Sequence, residues 1–189
     1  GILDAIPDTP LRYKAVMYNN LGASYQNMGK FEESIVYFNK ALDIYQTLYK
    51  GKHTTIAESF NNIGTVLCDI NKFEEALEYY KKSLEIFTAV YGESHPNIAI
   101  LLGNIAMLYD LCGQYEESLD AYHKSMEILI AFYGKEHPNV AIMYNNLGLF
   151  YQNKGNFDKA IEYFTSSFEI NKAIYGNSHL SLATYYNNM

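Results

Sequence analysis

The sequence predicts an all-α solenoid of stacked helix–turn–helix repeats. Three observations predict it. Residue types recur every 42 residues, as at Asn20, Asn62, Asn104, Asn146 and Asn188. Each period holds two stretches of apolar residues at helical spacing. Turn residues separate those stretches at fixed offsets. The register also holds at His53, His95, His137 and His179, at Ala57, Ala99, Ala141 and Ala183, and at Phe31, Phe73, Tyr115 and Phe157. No insertion breaks it. The repeats are expected at about 13–54, 55–96, 97–138 and 139–180. Residues 181–189 begin a fifth, 1–12 form a lead-in, and 1–189 is expected to be a single array.

The second repeat shows the logic of each element. Ile56, Phe60, Ile63, Val66 and Leu67 define an amphipathic first helix. Asn71 ends it, where the other repeats have Gly29, Gly113 and Gly155. Glycine past a helix takes the left-handed conformation that closes the last turn, and asparagine is its usual substitute. A second helix is expected from Phe73 to about Val90, with Leu77, Tyr80, Leu84 and Phe87 on one face. Its first turn carries Glu74 and Glu75, matched by Glu32-Glu33, Glu116-Glu117 and Asp158. Acid there is favoured by the helix dipole, so these residues are structural.

Between repeats runs Tyr91-Gly92-Glu93-Ser94-His95-Pro96-Asn97, echoed at Tyr133 to Asn139 and at Tyr175 to Leu180. Glycine stops one helix, and proline suits the first turn of the next. The first copy, Tyr49-Lys50-Gly51-Lys52-His53-Thr54, has its glycine shifted. Small residues at Gly22, Gly64, Ala106 and Gly148, and at Ser34, Ala76, Ser118 and Ala160, mark where helices approach closely.

Composition narrows the function. A chain of 189 residues that is 49% hydrophobic can bury a continuous core. The net charge of −7, with Arg12 the one arginine, argues against nucleic acid, which needs a basic stripe. Cys68 and Cys112 occupy different places in their repeats and form no metal or redox motif. A reduced, cytoplasmic setting is expected. No signal-peptide pattern opens the sequence, and apolar runs such as Ile98 to Leu102 are too short to span a bilayer. Leu182 to Met189 restarts the pattern without completing it, so a longer parent protein is expected.

The residues Tyr18, Leu21, Gly22, Tyr25, Ser34 and Phe38 match a known signature. It recurs as Phe60, Ile63, Gly64, Leu67, Ala76 and Tyr80, then as Leu102, Ile105, Ala106, Tyr109, Ser118 and Tyr122. The fourth copy is Tyr144, Leu147, Gly148, Tyr151, Ala160 and Phe164. The chain therefore resembles the tetratricopeptide repeat proteins. Its longer period and Tyr-Gly-x-x-His-Pro turn resemble the kinesin light chain and nephrocystin subgroup. The resemblance covers about residues 13–189. It implies a right-handed superhelix whose first helices line a concave groove, and a role as a protein-binding adaptor or scaffold.

That resemblance places Asn20, Asn62, Asn104, Asn146 and Asn188 at one groove-facing position. A carboxamide carries both donor and acceptor, so a row of them can hold the backbone of an extended peptide. The alternative is that each asparagine bonds a neighbouring helix and supports the stack. Asn19, Asn61, Asn145 and Asn187 are weaker candidates, because Gly103 replaces them in the third repeat. The variable groove positions carry no lysine or arginine, so the basic clamp that some family members use for acidic tails is missing. The first helix of the third repeat, Ile98 to Cys112, is apolar nearly all round, a pattern that usually means burial on every face. Ile100, Met107, Ile142 and Leu149 are therefore expected to form an apolar anchor pocket under a ligand or another part of the protein. Ordinary packing between repeats is the other reading.

No cofactor, metal or enzymatic activity is expected. Metal ligands must converge to about 2.0–2.1 Å of one ion, whereas equivalent points on stacked helices lie roughly 8–10 Å apart. The repeated histidines thus belong to turn packing, and His123, off register, is a surface residue. No phosphate loop, nucleophile elbow or Cys/His dyad is present. Three functions remain: a protein- or peptide-binding adaptor, a self-associating array, or the sensor domain of a larger regulator or enzyme.

Overall fold

The structure is a computed structural model and describes residues 10–176. Asn188, Asn187, His179, Ala183 and the expected fifth repeat lie outside the described residues. Eight helices are described, with no strand among them: α1 (Leu11–Asn27), α2 (Phe31–Leu48), α3 (Thr54–Asp69), α4 (Phe73–Tyr91), α5 (Pro96–Leu111), α6 (Tyr115–Tyr133), α7 (Pro138–Asn153) and α8 (Phe157–Tyr175). They alternate as the first and second helices of four repeats. The first helix starts at Leu11, inside the stretch expected to be lead-in. The chain divides into two compact units, Gly1–Glu93 and Ser94–Met189, whose described parts hold α1–α4 and α5–α8.

Each helix pair is closed by the same tight turn. Gly29 takes φ +70° and Lys30 N–H donates to Tyr25 O at 2.9 Å. Asn71 takes φ +60°, the one left-handed residue other than glycine among those described, and Lys72 N–H donates to Leu67 O at 2.9 Å. A side chain in this region is strained, but asparagine is among the residues that adopt it most readily. The substitution at 71 thus preserves the backbone path.

Close helix approach is visible at the small residues. A Cβ on Gly64 would meet the Tyr80 ring at 2.7 Å, and one on Gly22 would meet the Phe38 ring at the same distance. The Phe164 ring fills the corresponding space at Gly148. The serines expected to be merely small do more. Ser34 Oγ donates to Gly22 O, and Ser118 Oγ to Ala106 O, each at 2.8 Å. Ser83 and Ser125 form a second buried set, donating to Ala57 O at 2.8 Å and Ala99 O at 2.6 Å. All four hydroxyls are buried and each ties a second helix to the first helix of its own repeat. A buried hydroxyl needs such a partner, and these carbonyls supply it.

The core of the first unit includes Tyr18, Phe38, Leu42, Ile63, Val66, Tyr80 and Phe87. That of the second is built on Ala99, Ala106, Tyr122, Leu129, Val140, Met143, Leu147 and Phe150. The acidic pairs at 32–33, 74–75 and 116–117 lie in the first turns of α2, α4 and α6.

The repeated histidines cap helices. His53, His95 and His137 each accept through Nδ1 from the backbone N–H two residues on, at 3.3, 3.2 and 3.2 Å. Pro96 and Pro138 then open α5 and α7. Tyr49 and Tyr133 stack face to face on His53 and His137, with centroids 3.7 and 3.8 Å apart. In the first inter-repeat turn α2 ends early at Leu48 and Gly51 takes φ +97°. The shifted glycine still delivers His53 to its capping position.

Two stability tests follow from these turns. Asn71→Val should lower unfolding free energy by about 1 kcal/mol relative to Asn71→Gly, because only glycine enters the left-handed region freely. His137→Ala should cost about 1 kcal/mol through loss of the cap. Urea midpoints of the three variants measure both.

Candidate binding surface

On α5, Ile100, Asn104, Met107 and Leu111 follow one another at helical spacing and share a face. Their neighbours Leu101, Ile105 and Leu108 are buried in the core. On α7 the equivalent face carries Ile142, Asn146, Leu149 and Asn153, while Val140, Met143, Leu147 and Phe150 are buried. The two helices touch within the second unit. Ile100, Met107, Ile142 and Leu149 are 45, 50, 56 and 37% exposed. This differs from burial on every face of α5. Nothing among the described residues covers this side, which the expectation assigned to a ligand or to another part of the protein.

The asparagines divide by repeat. Asn62 Nδ2 donates to Asn19 Oδ1 at 3.1 Å, joining α3 to α1. Asn20 is exposed, whereas Asn61, Asn104 and Asn145 are half-buried and have interactions of their own. The position equivalent to Asn19 in the third repeat is Gly103. A Cβ there would meet the Met143 methyl at 2.9 Å, and glycine offers no carboxamide opposite Asn146. Among the described residues the half-buried Asn146 side chain has no partner. Its donors and acceptor are available on the same face as the four apolar residues.

Polar contacts between repeats were not legible in the sequence. Gln26 Nε2 donates to Asp69 Oδ2 at 2.8 Å, linking the ends of α1 and α3. In the second unit Lys154 pairs with the mostly buried Asp110 at 2.7 Å and lies 3.3 Å from the Tyr115 ring centroid. Burial alone would lower the Lys154 ammonium, but Asp110 and Tyr115 outweigh it and the net shift is upward. Lysine at 154 is therefore spent on an internal pair. In the first unit the face of α3 is polar: Glu58 and Thr65 stand where Ile100 and Met107 do. Burial raises the Glu58 carboxyl above the usual range, with His53 opposing it.

The thiol of Cys68 lies 3.7 Å from the Tyr80 hydroxyl, which also meets Thr65 Oγ1 at 3.3 Å. Burial pushes that phenol well above its ordinary value. These groups form a packed polar contact at the α3–α4 interface. Among the described residues no cluster of His, Cys, Asp or Glu could hold a metal ion. None of the described helices is long and apolar enough to cross a membrane.

A helical-repeat protein with an uncovered first-helix face is the class this geometry defines. The family model for the tetratricopeptide repeat matches residues 13–89, 55–116, 97–149 and 139–189, and the chain belongs to that family. Its repeats generally mediate protein–protein interaction, and the fold is typically a non-enzymatic scaffold. Several solved structures share the fold. BtubC (BKLC) from P. vanneervenii superposes with a TM-score of 0.75 at 18% identity, over 94% of this chain and 74% of that one. A kinesin light chain-type protein of Podosopora anserina, with nearly identical TPR-like repeats, gives 0.71 at 21% identity, over 96% and 88%. Aspartyl phosphate phosphatase F from Bacillus subtilis gives 0.78 at 19% identity, over 95% of this chain and 45% of that one. No curated protein matches the chain in sequence.

The Lys154–Asp110 pair gives a further test. Lys154→Met should destabilise the second unit by about 1–3 kcal/mol, because it strands a largely buried carboxylate. Asp110→Asn with Lys154→Met should recover part of that loss. Thermal unfolding of the two variants decides.

Proposed function

We propose that the chain is an adaptor module whose second unit holds an extended segment of a partner protein across α5 and α7. The Asn146 carboxamide, without a partner among the described residues and set among Ile100, Met107, Ile142 and Leu149, carries this reading. Backbone amides of an extended segment need a donor and an acceptor, and a carboxamide offers both. Apolar side chains of the same segment would cover the four exposed residues, with Asn104 beside them on α5. The face carries no lysine or arginine, so the expected ligand is apolar and uncharged rather than an acidic tail. In the first unit the α1–α3 face, with Asn19 and Asn62 bonded to each other, contributes less. Asn20 stands in the row of Asn62, and Asn61 in that of Asn19.

Selection of peptides from a random display library against the whole chain tests the proposal. Enriched sequences should carry spaced apolar residues without acidic bias. Met107→Glu with Leu149→Glu should weaken their binding at least tenfold and leave helicity unchanged, since both side chains are exposed. Asn146→Ala should weaken it about fivefold, the value of one net hydrogen bond near 1 kcal/mol. An acidic consensus, or undiminished binding by the double variant, would sink the idea. Light scattering across concentration covers self-association: growth abolished by the double variant would assign the face to a second copy.

A further inference from the structure

A second feature recurs with the repeat and then changes. Lys40 Nζ lies 5.4 Å from the Tyr18 ring centroid and 5.3 Å from that of Tyr37. One period later Lys82 Nζ lies 5.9 Å from Phe60 and 4.9 Å from Tyr79. An ammonium within about 6 Å of aromatic faces is held by the ring quadrupoles. Each of these repeats therefore contains a cation site, made of one ring from each helix and filled by its own lysine. The third repeat keeps the lysine, Lys124, and replaces both rings with Leu102 and Ala121.

The fourth repeat does the reverse. It keeps the rings, as Tyr144 and Tyr163, with centroids 6.0 Å apart and planes tilted by 32°. The Tyr18–Tyr37 pair that holds Lys40 has the same separation and a tilt of 36°. The lysine position is Ser166, whose hydroxyl turns back to donate to Glu162 O at 3.0 Å. A cavity of about 340 Å³ lies there, lined by Tyr144, Tyr163 and Ser166 together with Met126, Glu127 and Glu162. At about 30 Å³ per water it has room for roughly ten waters, ample for an alkylammonium chain. Neither carboxylate is paired with a lysine among the described residues. By contrast Glu85, the equivalent of Glu127, is taken by Lys52 at 2.8 Å, and Ser94 stands at the position of Lys52.

We infer that this cavity receives the lysine side chain of a partner protein. The two tyrosine faces take the ammonium, Met126 packs on its methylenes, and Glu127 and Glu162 balance the charge. The filled sites of the first two repeats supply the template, and the emptied lysine position supplies the vacancy. The site uses α6, α7 and α8 and does not require a segment bound across α5 and α7.

Titration of the whole chain, followed through the tyrosine ring resonances, tests the inference. The probes are n-butylammonium, n-butanol, and a lysine-centred glycine pentapeptide with its norleucine counterpart. Butylammonium and the lysine peptide should shift Tyr144 and Tyr163 saturably, the peptide at least as tightly, while butanol and the norleucine peptide should not. Ser166→Lys should refill the site from within, weaken both cations at least tenfold and raise the melting temperature. Glu162→Gln should weaken them about threefold. An equal response to butanol, or full binding by Ser166→Lys, would overturn the cation site. Binding of butylammonium without the peptide would overturn the assignment to a partner's lysine.

Discussion

The close approach of the two helices in each repeat is the constraint on which the rest depends. Glycine or alanine on the first helix leaves room for a ring from the second, as with Gly22 under Phe38 and Gly64 under Tyr80. Once the backbones are that near, first-helix carbonyls come within reach of second-helix side chains. Buried serines at 34, 83, 118 and 125 then bond to those carbonyls. Ring packing and buried hydroxyl bonds thus reinforce one geometry. The tight turn at Gly29 or Asn71 and the histidine caps fix where each helix starts and stops.

That geometry uses up one side of every first helix and frees the other. In the second unit, Leu101, Ile105 and Leu108 are consumed by the core, and Ile100, Met107 and Leu111 are left outside. Exposed apolar groups beside a carboxamide with no partner among the described residues have a different character from the polar face of α3. The two units share a scaffold and differ in surface chemistry, which is how one repeat can be adapted to different contacts. The tyrosine–lysine contacts follow the same principle. Lysine at 40 and 82 completes the site internally, and serine at 166 opens it.

The sequence was most informative where one position recurs in every period. Helix alternation, the left-handed turn at Asn71 and the small residues at the helix contacts were legible because backbone sterics allow few residue types there. The candidate asparagines and apolar residues were also legible as positions. Their state was not. Asn62 bonds Asn19, whereas among the described residues Asn146 lacks such a partner, because glycine stands at 103. The apolar pattern of α5 could not separate burial from exposure, since both faces carry Ile and Leu.

Periodicity by itself determined the family, the alternation of helices and the residues that share a face. These depend on local backbone geometry and on a 42-residue register that no insertion disturbs. Tertiary structure decided which members of each face are consumed. It paired Lys154 with Asp110, placed the histidine nitrogens on backbone amides, and left a cavity where Ser166 replaces lysine. Those outcomes depend on distances between residues far apart in sequence, set by how closely neighbouring helices pack.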